Sequence, residues 1–536
     1  MEKLSAESKE NWLSWFFRGL IILGFLLLFA RLIELQLIKG NYYRVLSDQN
    51  RIRKIPILAP RGKILARGGE ILVGNKEVKK AIVFNPETGF EKRQDWQGIN
   101  PTEIISEWVR DYPLGSKFAH VSGYLGEVNK DEVGKINPSC LDKGPRKLGS
   151  LVGRGGLEEE YECVLAGIDG EELIEVDTLG QKIRVLGKKN PVSGEDLKTS
   201  IDFGLQQKLA DFMEGKKGAV VATDTNGEVI AFYSSPSFDQ NTLINKSAGS
   251  EIVKILKDEN LPFFNRAIGG QFHPGSVFKP IVAVAALSEG KIDKNFTFDD
   301  PGIITIDKYS YSNWFFSQHG KTEGTIGVIK ALARSTDTFF YKLGEFLGAE
   351  KLSQWAGTFG LDQKSGIDIP GEIGGLVPSP DWKLKVKGEP WFLGNTYHMA
   401  IGQGDLAVTP LEINQAISTI ASGGKFCQPK IVGKPSCLNL SLKKENLTVV
   451  KEGMVDVCRP GGTGFTFFDF GNPVACKTGT AETNQDGKTH AWFVAFSPTD
   501  FPEIVLTVLV ERGGEGSKVA GPIARKILDY WYNRTN

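Results

Sequence analysis

The longest apolar stretch of the chain lies near its start, from Trp12 to Ala30, and Arg18 is its only charged residue. A helix needs about 20 apolar residues to cross a membrane, and a charge this close to one end can reach the polar interface. Because no small-x-small cleavage site follows the apolar core, the pattern favours an uncleaved anchor over a signal peptide. Residues 1–40 are therefore predicted to form a cytoplasmic tail and a transmembrane anchor.

The next segment contains short β-like runs, such as Ile52 to Leu58 and Lys79 to Phe84. Turns that contain Gly and Pro separate these runs, which is typical of β-strands. We find no nucleophile with a partner base in this segment. Residues 41–195 are therefore predicted to form a β-rich, non-catalytic domain.

From residue 196 to residue 536 the patterns of strands and helices mix. The predicted elements are two strands joined by a turn within Gly218 to Phe232, helical runs from Ser276 to Leu287 and from Val328 to Leu347, strands from Ala491 to Phe496 and from Ile504 to Glu511, and a last helix from Gly521 to Trp531. Strands, then helices, then strands again predict an α+β domain in which helices flank an antiparallel sheet.

Composition narrows the classes of function. The chain has 64 Lys and Arg against 64 Asp and Glu, so no basic excess predicts a nucleic-acid partner. Its six cysteines include no Cys-x-x-Cys pair and its five histidines show no ligand spacing, which disfavours a metal site. Disulfides can form if the domain lies outside the cytoplasm, but we expect most of the cysteines to be free, buried thiols.

Candidate chemistry centres on Pro274 to Lys279, which precedes the buried-helix pattern of Pro280 to Leu287. Ser276 would lie at the helix N-terminus, and Lys279 would lie one turn later on the same face. A serine becomes nucleophilic when a base takes its proton, and a lysine can be that base when burial lowers its pKa. The helix N-terminus adds N–H groups for an oxyanion.

The Ser-x-x-Lys spacing is weak by itself, since a surface serine and a solvated lysine often share it. The chain repeats it at Ser288/Lys291, Ser422/Lys425 and Ser441/Lys444. Ser276 differs from these in its Pro-Gly entry, in the apolar helix behind it and in two partner motifs downstream.

The partner motifs are Ser335-Thr336-Asp337 and Lys477-Thr478-Gly479-Thr480. A second serine can relay a proton to a leaving amine, and an Asp two residues later can orient the lysine. The Lys-Thr-Gly motif follows an apolar run and so can lie on a strand. There, Gly479 would allow a close approach of substrate to the backbone, and the lysine and hydroxyls can bind a carboxylate.

These three motifs, in this order, are typical of penicillin-binding proteins and class A β-lactamases. The chain resembles a class B penicillin-binding protein over nearly its whole length. In the first domain the resemblance rests on Asn50-Arg51, Pro60 to Gly62, Arg67 to Gly69, Asn75, Tyr112-Pro113, Ala119 to Gly126 and Gly156 to Glu158. In the second it rests on Ser234 to Asp239, Asn265-Arg266, Pro274 to Lys279, Ile401 to Gly404, Thr409 to Leu411 and Lys477 to Glu482.

The resemblance implies an N-terminal transmembrane helix, a pedestal (dimerisation-type) domain and a transpeptidase domain of the penicillin-binding/β-lactamase type. It implies a serine-type D,D-transpeptidase that needs no metal or cofactor, with an oxyanion hole made by the backbone N–H groups of Ser276 and Thr480. The catalytic residues that it implies are Ser276, Lys279, Ser335, Asp337 and Lys477, and the substrate-binding residues are Thr478, Gly479 and Thr480.

The second motif departs from the common Ser-x-Asn of the family, because Asp337 stands in the Asn position. Within the family, Ser-x-Asp is typical of the elongation subtype, penicillin-binding protein 2, whereas the division enzyme usually keeps Asn. An Asp also adds a negative charge that would raise the pKa of Lys279. The subtype implied is therefore elongation, with a division-type enzyme as the alternative.

The resemblance also implies partners and a location. It implies a single-pass protein of the bacterial cell (inner) membrane, with the catalytic domain outside the cytoplasm. Its substrates would be peptidoglycan stem peptides ending in D-Ala-D-Ala, its inhibitors β-lactams, and its partner a RodA-type SEDS glycosyltransferase. The alternatives are a β-lactamase or D,D-carboxypeptidase, which are usually shorter, and a sensor that binds β-lactam without turnover.

Overall fold

The computed structural model describes residues 12–85, 89–93, 104–177, 182–245, 248–483 and 487–534, with the backbone alone at residues 48–50, 82–85, 89–93 and 105. Residues 1–11, at the start of the predicted tail and anchor segment, lie outside the described residues.

The helices are α1 (Trp12–Ile33), α2 (Gly40–Arg51), α3 (Ala119–Ser122), α4 (Gly156–Glu160), α5 (Glu162–Leu165), α6 (Phe203–Phe212), α7 (Gln240–Ile244), α8 (Gly249–Leu256), α9 (Arg266–Gly269), α10 (Lys279–Ser288), α11 (Trp314–His319), α12 (Val328–Arg334), α13 (Asp337–Thr358), α14 (Pro380–Lys387), α15 (Leu393–Ala400), α16 (Pro410–Ala421), α17 (Lys444–Val457) and α18 (Ala520–Asn533). The strands are β1 (Ile52–Ile57), β2 (Ile64–Leu65), β3 (Ile71–Asn85), β4 (Gly89–Arg93), β5 (Ile104–Asp111), β6 (Tyr124–Glu127), β7 (Leu151–Arg154), β8 (Gly170–Val176), β9 (Lys182–Lys189), β10 (Leu197–Lys198), β11 (Gly218–Thr223), β12 (Val229–Ser235), β13 (Thr297–Asp299), β14 (Ile303–Ile306), β15 (Tyr309–Ser312), β16 (Thr325–Gly327), β17 (Lys425–Cys427), β18 (Cys437–Asn439), β19 (Ala475–Glu482), β20 (Thr489–Ser497) and β21 (Ile504–Val510).

The chain divides into two compact units. The first unit comprises Met1–Pro60, Glu77–Val109 and Ile168–Ser193. Within it, α1 continues into a π-helical turn, and the span Trp12–Ile38 is the one helix of the described residues that is long and apolar enough to cross a membrane. Strands β1, β8 and β9 form a three-stranded antiparallel sheet.

The second unit comprises Arg61–Lys76, Arg110–Gly167 and Gly194–Asn536. Its centre is a five-stranded antiparallel sheet in the order β12-β11-β21-β20-β19. Side chains alternate along each strand, so one face packs on α6 and α18 and the other on α10, α13 and α16. The predicted α+β fold, with helices on both sides of an antiparallel sheet, is confirmed.

Helix α10 lies in the core of the second unit, and every residue from Lys279 to Leu287 is buried. The α-helix begins at Lys279, three residues after the predicted start, because Gly275–Phe278 form a 3₁₀ turn. Pro280 occupies the first turn of α10, where its missing N–H costs no hydrogen bond. Ser276 therefore lies in the tight turn that leads into the helix.

The predicted helix from Val328 to Leu347 is wrong as one continuous element. It breaks into α12 and α13 at Ser335, whose φ of 56° is left-handed. The backbone N–H of Thr336 bonds the carbonyl of Ala331, which closes the end of α12. A left-handed serine costs about 1 kcal/mol or more, so neighbouring contacts must hold it in place.

The expectation that most cysteines are free thiols is wrong. The structure pairs Cys140 with Cys163, Cys427 with Cys437, and Cys458 with Cys476. Each pair is brought together by elements that meet in space: Cys427 faces Cys437 across the β17–β18 pair, for example. These pairings depend on tertiary contacts, which the spacing of the cysteines in the sequence does not reveal.

Candidate active site

The turn that carries Ser276 packs against strand β19. A Cβ placed on Gly479 would lie 2.9 Å from Val277 Cγ1 and 3.1 Å from the Pro274 carbonyl, so a larger residue would push the turn away. Gly275 has a φ of 57°, and a Cβ there would lie 3.0 Å from the Thr480 carbonyl. These close approaches bring the turn that carries Ser276 directly against Gly479 and Thr480 of β19. The oxyanion hole formed by the N–H groups of Ser276 and Thr480 stays a prediction.

The amine of Lys279 is fully buried and donates to the second motif. Its Nζ lies 2.6 Å from Asp337 Oδ1, 2.8 Å from the Ser335 carbonyl and 3.2 Å from Ser335 Oγ. An ammonium group has three N–H donors, and these three acceptors use all of them. Ser276 Oγ, in contrast, makes no hydrogen bond with any residue that the structure describes.

Lys477 of the third motif also contacts Ser335. Lys477 Nζ lies 2.9 Å from Ser335 Oγ and 3.0 Å from the Thr478 carbonyl. A hydroxyl has two lone pairs and one proton. Both lone pairs of Ser335 Oγ face lysine amines, so its proton remains to be donated elsewhere. The structure thus brings Lys279, Ser335, Asp337 and Lys477 into one hydrogen-bonded cluster.

Burial dominates the electrostatics of both lysines. It lowers the pKa of Lys279 below its usual value, against the opposing effect of the Asp337 carboxylate. Burial, helped by the positive charge of Lys279, lowers the pKa of Lys477 well below its usual value, again against Asp337. Asp337 therefore acts in the expected direction on Lys279, but the net pKa falls because burial outweighs it.

The hydroxyls of the third motif have different surroundings. Thr480 is exposed, and its Oγ1 accepts the backbone N–H of Gly516 at 3.2 Å. Thr478 is buried, and its Oγ1 lies 2.8 Å from Thr463 Oγ1. Thr463 belongs to none of the three motifs in the sequence. It stands in a Gly-Gly-Thr-Gly stretch that predicts only a turn, and its contact with β19 exists only in the fold.

A second residue that the sequence did not reveal is Arg334, which directly precedes the left-handed Ser335. Its guanidinium forms an ion pair with Glu323 at 2.8 Å, donates to the Gly461 carbonyl at 3.0 Å and covers the Trp314 ring at 4.9 Å. The Trp314 Nε1 in turn donates to the Arg334 carbonyl at 2.7 Å. These contacts fix the end of α12 from which Ser335 projects.

Metal-binding side chains do not cluster in the described part of the chain. No group of three or more His, Cys, Asp or Glu side chains comes together there in a way that could bind an ion. The polar groups of the site are instead two amines, a carboxylate and hydroxyls. This set of groups is suited to proton transfer and to binding an anion.

Two family models match the chain. Residues 218–529 match the penicillin binding protein transpeptidase domain, and residues 89–199 match the penicillin-binding protein dimerisation domain. Among curated proteins, the chain is 32% identical to the peptidoglycan D,D-transpeptidase MrdA of Acinetobacter baumannii, over 96% of this chain and 86% of that protein.

Two solved structures extend the likeness. The first is penicillin-binding protein 2 in its complex with MreC from Helicobacter pylori, with a TM-score of 0.77, 27% identity, and coverage of 90% of this chain and 99% of that one. The second belongs to a peptidoglycan synthase complex, with a TM-score of 0.76, 28% identity, and coverage of 96% and 98%. The chain therefore belongs to the family of penicillin-binding protein transpeptidases, which confirms the resemblance found in its motifs.

Proposed function

We propose that the protein is a peptidoglycan D,D-transpeptidase of cell-wall elongation, which cross-links stem peptides through an acyl-enzyme on Ser276. The observation that carries the proposal is the convergence of the amines of Lys279 and Lys477 on one hydroxyl, Ser335 Oγ, beside the turn of Ser276. The relatives named as D,D-transpeptidases over most of the chain support the same reaction.

In the first step, Ser276 Oγ attacks the carbonyl carbon between the last two D-alanines of a stem peptide. The C–O bond forms, and the serine proton passes to Lys279. Lys279 can accept it once its amine is neutral, and its lowered pKa makes the neutral form easier to reach than for an exposed lysine. The backbone N–H groups of Ser276 and Thr480 would stabilise the oxyanion.

In the second step, the C–N bond breaks and D-alanine leaves with a proton from Ser335, which regains one from the protonated Lys279. The two lysine amines supply donors to Ser335 Oγ, which leaves its own proton free to be given away. Lys477, Thr478 and Thr480 would bind the terminal carboxylate of the substrate, and Gly479 would let it approach the strand. The amine of a second stem then attacks the acyl carbonyl and gives a proton to the neutral Lys279. The C–O bond to Ser276 breaks, Ser276 Oγ takes that proton back, and the cross-link is formed.

We further propose that α1 anchors the protein in the bacterial inner membrane, with the catalytic domain outside the cytoplasm. The three disulfides support this location, because such bonds persist in oxidising compartments. A RodA-type SEDS glycosyltransferase is the proposed partner, supported by the relative solved in a peptidoglycan synthase complex. Asp337 supports the elongation role over the division role.

The test is covalent labelling of the full-length protein in detergent with a fluorescent penicillin. We expect Ser276→Ala to lose the label and Ser441→Ala to keep it. Ser441 is the matched control, since it has the same spacing to Lys444 and is exposed. A label that survives in Ser276→Ala would show that the nucleophile is wrong.

A second measurement separates the transpeptidase from its alternatives. A synthetic stem peptide ending in D-Ala-D-Ala is incubated with the enzyme and an acceptor amine. We expect a cross-linked product together with free D-alanine. Hydrolysis alone would indicate a carboxypeptidase, and rapid release of the penicillin label would indicate a β-lactamase.

A further inference from the structure

A short segment of the chain contacts both the second and the third motif. Residues 458–464 follow α17 and run between the end of α12 and strand β19. The backbone N–H of Thr463 bonds the Ala333 carbonyl at 3.2 Å, two residues before Ser335. On the other side, Thr463 Oγ1 lies 2.8 Å from Thr478 Oγ1. One residue thus contacts the backbone of one motif and a side chain of the other.

The position of this segment is fixed at three further points. Cys458 is bonded to Cys476, which directly precedes Lys477. Arg334 donates to the Gly461 carbonyl, and the backbone N–H of Gly464 bonds the Val457 carbonyl at 2.8 Å. Because the loop is held this closely, the hydroxyl of Thr463 has a set position rather than a range of positions.

The direction of the hydrogen bond between the two threonines follows from counting protons. Each hydroxyl has one proton, and an ionised carboxylate can only accept. If Thr478 donates its proton to a substrate carboxylate, it cannot also donate to Thr463. Thr463 must then be the donor in the 2.8 Å contact. A hydroxyl that accepts one hydrogen bond also becomes a stronger donor for the next one.

We propose that Thr463 is a positioning residue for substrate specificity, which donates to Thr478 Oγ1 and so directs the single proton of Thr478 at the terminal carboxylate of the substrate. The inference rests on the proposed function, because it uses Thr478 as a carboxylate ligand. It adds a residue outside the three motifs to the recognition of the anionic end of the stem peptide. The effect requires a carboxylate on the ligand, and this sets it apart from a general stabilising role.

The test uses two acylating probes on the full-length protein, benzylpenicillin and its methyl ester, which lacks the carboxylate. Acylation rates are measured by mass spectrometry of the intact protein. For Thr463→Val we expect about a tenfold loss with benzylpenicillin, because a Thr478 hydroxyl no longer oriented by Thr463 would lose about one charge-assisted hydrogen bond to the carboxylate. With the ester we expect less than about a twofold change. Thr463→Ser restores the hydroxyl and should recover the wild-type rate within about twofold.

The matched control is Thr466→Val, the same change three residues later. Thr466 Oγ1 is buried and has no hydrogen-bond partner among the described residues, so both acylation rates should stay at wild-type values. If Thr463→Val does not fold, as judged by its thermal unfolding, Thr463→Ala is tested with the same pair of probes.

The outcomes separate this inference from the proposed function. Equal losses with both probes, no loss with either, or no recovery in Thr463→Ser would each overturn the role of Thr463. They would leave acylation at Ser276 intact, because the wild type would still be labelled and Ser276→Ala would not. A wild type that reacts equally fast with both probes would overturn the inference at its premise, since Thr478 would not be recognising a carboxylate.

Discussion

Replacing Asp337 by Asn tests how the buried cluster sets the basicity of Lys279. The change removes a carboxylate 2.6 Å from the Lys279 amine but keeps an oxygen that can accept its hydrogen bond. Acylation needs the neutral amine, so its rate should rise with pH and level off above the pKa of Lys279. Burial lowers the pKa of Lys279 below its usual value, and the Asp337 carboxylate opposes part of this lowering. Without the carboxylate, the pKa of Lys279 should fall further. The rising part of the pH–rate profile should therefore move to lower pH.

The size of the shift follows from the geometry. An opposite charge at contact distance moves a pKa by about 1 to 3 units. A pair of charges near a protein surface interacts by about 4 kcal/mol at 4 Å, which corresponds to about 3 units at 1.36 kcal/mol per unit. Because Asp337 is mostly buried, we expect its loss to lower the pKa of Lys279 by about 1 to 3 units. The plateau should fall as well, since a weaker base takes the serine proton less readily.

The assay is the second-order rate constant of penicillin acylation, measured from acidic to alkaline pH for wild type and Asp337→Asn. The control is Asp211→Asn, which removes an exposed carboxylate paired with Lys117 on the surface, and it should not move the rising part of the profile. A rising part that stays in place in Asp337→Asn, or that moves to higher pH, would refute the idea that Lys279 is the base and that Asp337 raises its pKa.

Two further predictions concern the contacts that hold the site together. Arg334→Met leaves the carboxylate of Glu323 without its partner, so urea unfolding followed by tryptophan fluorescence should show a loss of about 3 kcal/mol; an unchanged midpoint would mean that the ion pair contributes nothing. The double variant Cys458→Ala, Cys476→Ala opens a disulfide whose cysteines are 18 residues apart and should cost about 3 kcal/mol. Its stability should respond less to a reducing agent than that of the wild type, and an equal response would contradict the assignment.

The motifs in the sequence predicted that Lys279, Ser335, Asp337 and Lys477 lie together, but not the backbone around them. Ser276 and Lys279 are three residues apart at a helix start, so local geometry alone places them on the same side. The left-handed Ser335 was not predictable, because serine has no strong preference for that conformation and the contacts of Arg334 select it. The Thr463–Thr478 contact likewise depends on where α17 ends relative to β19.

The same limit explains the cysteines. Pairing Cys427 with Cys437 needs the register of β17 and β18, and pairing Cys458 with Cys476 needs the packing of α17 on the sheet. The β11–β12 hairpin was predictable, because these two apolar runs flank a turn of Asp-Thr-Asn-Gly type, which favours a hairpin. Local patterns were sufficient for the β11–β12 hairpin and for the buried run of α10, but not for the break between α12 and α13 or for contacts between distant segments.

Strand β19 is an outer strand of its sheet, paired to β20 along one side and flanked by the Ser276 turn. Outer strands usually invite unwanted association, because their main-chain groups are open to any extended chain. Here the same property would let a peptide be recognised through its main chain, as an added strand. Recognition of that kind depends little on side chains, so we expect the enzyme to tolerate variation along the stem peptide while remaining strict about its anionic end.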